Sequence, residues 1–268
     1  MALMFALALV LALSVLSKAV PTEPVSISLK APAIVGGQDA RLGDFPYLVS
    51  LLQYGSAWCG GSLLDSRTVL TAAHCVAGRN ASDFQVRAGS LNWDAGGQKV
   101  NVSFFNVHPS YNSSNADNDI AIVRLASPIE DTAVIGYATL PKHCSDPVPN
   151  STATTAGWGD LEFGGPATRE LKKVSVSVVS RQRCQKQYLK NNPPLFVTDN
   201  MVCAGSDKGG KDACNGDSGG PIIDVETGVL IGIASWGIEC ALADFPGVYT
   251  RVGNYLPYIL SYLTTPSS

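Results

Sequence analysis

Charge is scarce in this sequence. Of its 268 residues only 15% are Asp, Glu, Lys or Arg, against about 25% in an average soluble chain. The net charge is −3 and no basic tract stands out, so the electrostatic footprint of a nucleic-acid binder is missing. A disordered chain combines low hydrophobicity with high charge, whereas 46% of these residues are hydrophobic. Long apolar runs are missing too: beyond the N-terminus no stretch reaches the roughly 18 residues of a membrane helix. There is no C-x-x-C pair, which removes the usual zinc-site spacing. Nor is the cysteine count even. Seven cysteines leave at least one outside any set of internal disulfides, and with one free they allow about a hundred arrangements.

What is present points to export and to strands. Residues 1–16 are apolar but for Ser14, and Ser17-Lys18-Ala19 offers a small-x-small cleavage site. Residues 1–19 therefore read as a secretory signal peptide, and the mature chain is expected outside the cell, where cysteines pair. Residues 20–33 carry Pro21, Pro24 and Pro32 with little periodicity and read as a short pro-segment. Sequons at Asn80, Asn101, Asn112 and Asn150 are candidate glycan sites. Strand-length apolar stretches at 47–52, 68–73, 84–88, 120–125, 174–179 and 229–236 are separated by many of the 26 glycines and 16 prolines. That is the pattern of all-β sheets or barrels. Only 255–263 has helical spacing. The Pro-rich stretch 142–150 divides the rest into two halves of similar length.

Three segments carry candidate chemistry. Thr71-Ala72-Ala73-His74-Cys75 presents a histidine, Asp119-Ile120-Ala121-Ile122 sets an acid before an apolar strand, and Gly216-Asp217-Ser218-Gly219-Gly220-Pro221 puts a serine in a glycine turn. A serine hydroxyl is a weak nucleophile. It needs a general base, and the base needs an orienting carboxylate. His…Asp…Ser is one of the chain orders in which that triad occurs. An α/β-hydrolase esterase would show the order Ser…Asp…His instead. The glycines let the backbone N–H groups of Gly216 and Ser218 converge on one spot as an oxyanion hole, worth about 2.7–4 kcal/mol per donor. His108, before Pro109, and His143 read as structural. Asp117 competes with Asp119 for the acid role.

With these motifs on one chain, the sequence resembles the trypsin/chymotrypsin family of serine endopeptidases from Ile34 almost to the C-terminus. Ala88-Gly89-Ser90-Leu91, Val107-His108-Pro109-Ser110-Tyr111 and Ile222-Ile223-Asp224 look most like secreted fungal trypsins. The resemblance implies two packed six-stranded antiparallel β-barrels, about 34–143 and 144–268, with a C-terminal helix. It assigns His74 as general base, Asp119 rather than Asp117 as its orienting acid, and Ser218 as nucleophile. It implies a zymogen cut before Ile34-Val35-Gly36-Gly37, whose new ammonium pairs with Asp217. Ala33 precedes that bond, so the activating protease is expected to be non-tryptic.

The resemblance also sets the specificity. Asp212 is the floor of the primary pocket, selecting Arg or Lys. Ala213 stands where many trypsins have a serine that serves lysine, so Arg is expected to be preferred. Gly237 and Gly247 leave room for the long cation, and Ser235-Trp236-Gly237 pairs with the substrate backbone. Disulfides are implied at Cys59–Cys75, Cys184–Cys203 and Cys214–Cys240. Cys144 remains, either buried as a small hydrophobe or paired between chains, and free and buried is the expectation. No metal or cofactor is expected, and the loop after Gly89 has too few acids for calcium. The expected partners of this monomer are protein substrates, protein protease inhibitors and the activating protease, with no nucleic acid or membrane. A non-catalytic homologue serving as a binding module is the rival reading, though such chains usually lose a triad member.

Overall fold

The computed structural model describes residues 34–263. The expected signal peptide and pro-segment, and residues 264–268, lie outside the described residues. Strand β1 (Gln38–Asp39) is followed by β2 (Leu48–Gln53), β3 (Ser56–Asp65), β4 (Thr68–Thr71), β5 (Phe84–Ala88), β6 (Gln98–Val107) and β7 (Ala121–Leu125). Paired in the order β2-β3-β4-β7-β6-β5, the last six close into a barrel. Then come β8 (Thr152–Gly157), β9 (Lys172–Val179), β10 (Met201–Gly205), β11 (Pro221–Asp224), β12 (Leu230–Trp236) and β13 (Gly247–Arg251). These run β9-β10-β13-β12-β11-β8, and the pairing of β8 with β9 closes a second six-stranded ring. All pairings within the rings are antiparallel. The expected two-barrel, all-β architecture is what the chain forms.

Period-two burial explains the strands. In β9, Val174, Val176 and Val178 are buried while Ser175 and Ser177 face solvent. One face of such a strand contributes about 1.5–3 kcal/mol per fully buried aliphatic side chain. The termini are exchanged between the barrels. At the N-terminus, β1 pairs with β9 at Gln38–Lys173, and Ile34 lies wholly buried among Val174, Val202 and Tyr249 of the second barrel. At the C-terminus, Val252, Tyr255, Leu256 and Ile259 pack into the apolar cluster of the first.

The helices are short: α1 (Ala73–Val76), α2 (Arg181–Tyr188) and α3 (Leu256–Leu260), the last entered by a 3₁₀ turn at Val252–Tyr255. The tail is thus a shorter helix than its apolar spacing over 255–263 suggests. Helix α2 lies outside that reading altogether, because Arg-Gln-Arg-Cys-Gln-Lys-Gln-Tyr has no apolar stripe. Its start is marked instead by Ser180, whose hydroxyl caps Arg183 N at 3.4 Å.

The three disulfides are Cys59–Cys75, Cys184–Cys203 and Cys214–Cys240. Cys144 is free, but it is exposed rather than buried, which corrects the expectation. Its backbone is what the fold uses: N donates to Gly253 O at 2.8 Å, and its carbonyl accepts from Arg251 Nη2 at 2.8 Å. Held in a left-handed conformation at φ 59°, it turns its thiol outward, 3.3 Å from His143 Nε2.

Candidate active site

The three motif segments meet where the barrels touch. The contact depends on glycine. A Cβ on Gly60 would stand 2.8 Å from Gly220 Cα, and one on Gly219 would stand 2.2 Å from Thr71 Oγ1. Gly219 also has φ +78°, which side chains rarely adopt. Across this seam Gly60 N donates to Ser218 O at 2.8 Å. The serine turn is therefore seated directly on β3, beside His74.

His74 stands on α1, which begins where β4 ends. Its backbone N donates to Asp119 Oδ1 at 2.9 Å, and its Nδ1 lies 2.7 Å from Asp119 Oδ2. Asp119 is fully buried and His74 half-exposed. This two-point contact sets the ring with Nδ1 toward the acid. Nε2 and Ser218 O both lie 3.7 Å from Cys75 Sγ. The sulfur of the first disulfide thus sits between the histidine and the serine loop. The cluster of Cys59, His74 and Cys75 is compact enough to suggest a metal site, but both sulfurs are spent in the disulfide, so no thiolate is on offer.

The competing acid is placed elsewhere. Asp117 Oδ1 accepts from Thr198 Oγ1 at 2.7 Å and Asn200 Nδ2 at 3.1 Å. It pins its loop to the second barrel and does not meet the imidazole. His108 is structural: its Nδ1 accepts from Ser110 N at 3.2 Å, and its ring packs edge-on against Tyr255 and Tyr258.

Beside Ser218 opens a cavity of about 200 Å³ lined by Asp212, Ala213, Ser235, Trp236, Gly237 and Gly247. Asp212 is buried at its base. Its Oδ2 accepts from Ala241 N at 3.1 Å, while its buried Oδ1 has no hydrogen-bond partner among the described residues. Burial pushes its carboxyl up to about 7. A Cβ on Gly247 would lie 2.7 Å from that Oδ1, so glycine is what keeps the carboxylate open to the cavity. Gly216 is outside the cavity wall, in the adjoining turn at φ +91°. Neither Gly216 N nor Ser218 N donates to a protein acceptor among the described residues. Asp217 points the other way: fully buried, it accepts from Gly159 N and Cys214 N, each at 2.9 Å, and burial raises it to about 7.

The trypsin family model matches residues 34–259. The chain is 44% identical over 229 residues to trypsin Blo t 3 of Blomia tropicalis, covering 84% of each protein. It is 40% identical over 247 residues to trypsin, alkaline C of Manduca sexta, covering 90% of this chain and 92% of the relative. It is 39% identical to trypsin beta of Drosophila erecta, covering 85% and 87%.

The chain belongs to the trypsin family. It is a trypsin-like serine endopeptidase, a hydrolase acting on protein substrates. No described helix is long and apolar enough to cross a membrane.

Two features of this trypsin-family site escape sequence reading. Ser235 lies in the cavity wall, but its hydroxyl donates to Asp119 Oδ2 at 2.6 Å, and Thr250 Oγ1 donates to Asp119 O at 2.7 Å. Both come from the second barrel, and only the fold brings them to an acid 116 or more residues away. A hydrogen bond to a buried charge is worth about 1.5–3 kcal/mol, so Ser235→Ala is expected to lower kcat about tenfold or more. Steady-state kinetics on a peptide amide tests this; an unaltered kcat counts against a role in holding the acid. Tyr188 of α2 is the second feature. Its ring stacks edge-on to Trp236 at 4.8 Å, and its hydroxyl donates to Pro246 O at 2.7 Å, backing the cavity wall.

Proposed function

We propose that this chain is the zymogen of a secreted endopeptidase that cleaves after Arg or Lys through an acyl-enzyme, with His74, Asp119 and Ser218 as its triad. The observation that carries the specificity is the buried Oδ1 of Asp212, without a hydrogen-bond partner among the described residues, at the base of the cavity that Ser218 lines. A desolvated carboxylate without a partner favours a substrate cation that supplies one. The relatives are named trypsins, which supports the same reading.

In the reaction, His74 takes the Ser218 proton at Nε2 as the hydroxyl attacks the scissile carbonyl. Asp119 holds the imidazole in the required tautomer and stabilises the imidazolium. Gly216 N and Ser218 N receive the developing oxyanion. The ester to Ser218 is then hydrolysed by water, with His74 as the base. Substrate main chain pairs along Ser235–Gly237. There β12 has given up its partner on one side: Ala234 bonds Gly219 and Gly220 at 2.8 and 2.9 Å, and no strand follows on that edge among the described residues.

Activation is read as cleavage between Ala33 and Ile34 by a protease of non-tryptic specificity. Ile34 is buried in the second barrel with φ 44°, a costly conformation for a β-branched residue. Cutting the preceding peptide bond abolishes that torsion. The next residue is coupled to the pocket, since Asp212 N donates to Val35 O at 3.2 Å. The freed ammonium would then compensate the buried Asp217. The four sequon asparagines are all exposed, which suits their proposed glycosylation.

A peptide library with one variable residue before the scissile bond tests the specificity. Cleavage is expected after Arg and Lys, with kcat/KM several-fold higher for Arg because Ala213 offers no hydroxyl to a lysine ammonium. Cleavage after aromatic residues would reject the reading of Asp212, and a preference for Lys would reject that of Ala213. A second test is incubation of purified zymogen with its active form, which should leave it uncut at Ala33.

A further inference from the structure

A second acid shares the primary cavity. Glu239 lies in its wall with Asp212, but at the exposed mouth rather than the buried base. Its carboxylate has no ion pair or hydrogen bond among the described residues. Its backbone is in the left-handed region at φ 56°, as is that of Ala241, on either side of the Cys214–Cys240 disulfide. Non-glycine residues adopt this conformation at a cost, and where they cluster at a site the surrounding structure is imposing a particular direction on the chain.

The position of Glu239 along the substrate path follows from strand geometry. Ser235 is adjacent to the serine turn, and the open edge runs from there through Trp236 to Gly237. A substrate laid antiparallel on this edge has its scissile residue opposite Ser235. The residue two positions before is then opposite Gly237, since side chains alternate and each residue advances about 3.3 Å. Glu239 follows Gly237 by two residues and stands beside that part of the substrate. We infer that Glu239 is a specificity-determining residue that favours a basic side chain two positions before the scissile residue. This rests on the reading of Asp212 as the pocket base and adds a second, exposed charge contact to it.

The test is a set of three peptide amides with Arg at the scissile position and Lys, Ala or Glu two positions before it, assayed on the activated enzyme at low ionic strength. Wild type is expected to order them Lys, Ala, Glu, with steps of about three- to five-fold in kcat/KM, the scale of exposed ion pairs. Glu239→Ala should level the series and Glu239→Lys reverse it. The steps should shrink at 1 M salt, where the Debye length is about 3 Å. Cleavage of all three peptides at equal rates, or an order that survives Glu239→Ala, overturns the inference alone. Failure to cleave any Arg peptide overturns the underlying specificity and this inference with it.

Discussion

Ser218→Ala is expected to lower kcat on a peptide substrate by about 10⁶-fold, the loss seen when a triad nucleophile is removed. The remaining acceleration, about 10³–10⁴ over water, would come from the backbone donors and from binding. The substitution should leave the fold alone. Its contact across the barrel seam is made by the backbone: Gly60 N bonds the Ser218 carbonyl, and Gly219, not Ser218, fills the tight space against Thr71. Thermal unfolding of the variant should therefore stay within about 0.5 kcal/mol of wild type. An active-site phosphonate should label the activated wild type and not Ser218→Ala. Labelling of the variant at another serine, or a kcat reduced only a few-fold, would sink the assignment of Ser218 as nucleophile, and an activated wild type that takes no label would favour a non-catalytic reading of the site.

Asp212→Ser should reduce kcat/KM for Arg and Lys substrates by about 10³-fold while sparing small neutral substrates, since losing one partner of a desolvated charge pair costs about 2–5 kcal/mol. The pH dependence of cation binding gives an independent reading of the same carboxyl. Burial raises Asp212 to about 7. Below that value it holds a proton, which an entering guanidinium or amidine must displace. Affinity for an arginine-mimicking amidine inhibitor should therefore be full above pH 7 and fall as pH drops through it, by up to tenfold per unit, with proton release on binding. Calorimetry in two buffers of different ionisation enthalpy would measure that proton. Affinity flat from about pH 8 to about pH 5, on either side of that raised value, would mean that Asp212 does not face the ligand. An Asp212→Ser variant that still prefers Arg would mean the same.

The His74, Asp119 and Ser218 segments are legible from local sequence, because each role needs a particular side chain in a particular backbone setting. Asp117 shows the limit. Two aspartates two residues apart are equally plausible until a family resemblance favours one. The tertiary reason for the choice is visible in the contacts: Asp119 is buried against His74, while Asp117 is occupied by Thr198 and Asn200. Cys144 departs from expectation because residue type alone favours burial of a free cysteine. The connecting segment satisfies its backbone with Gly253 and Arg251, and its side chain is left in solvent. Helix α2 is hidden from periodicity because a helix stapled by Cys184–Cys203, with Tyr188 buried beneath Trp236, does not need an apolar stripe.

By itself, the sequence determined the strand-rich class, through short apolar stretches cut by glycine and proline, and the chemistry, through residue types that have few substitutes. The tertiary structure decided everything that depends on distance between segments. It closed β8 on β9, set Ser235 and Thr250 against Asp119, exchanged the termini between barrels, and left one oxygen of Asp212 without a partner among the described residues. The division has a physical cause. Periodicity and turn chemistry act over a few residues and are written locally, whereas the burial and partners of a charge are set by chain segments that only folding brings within hydrogen-bond reach.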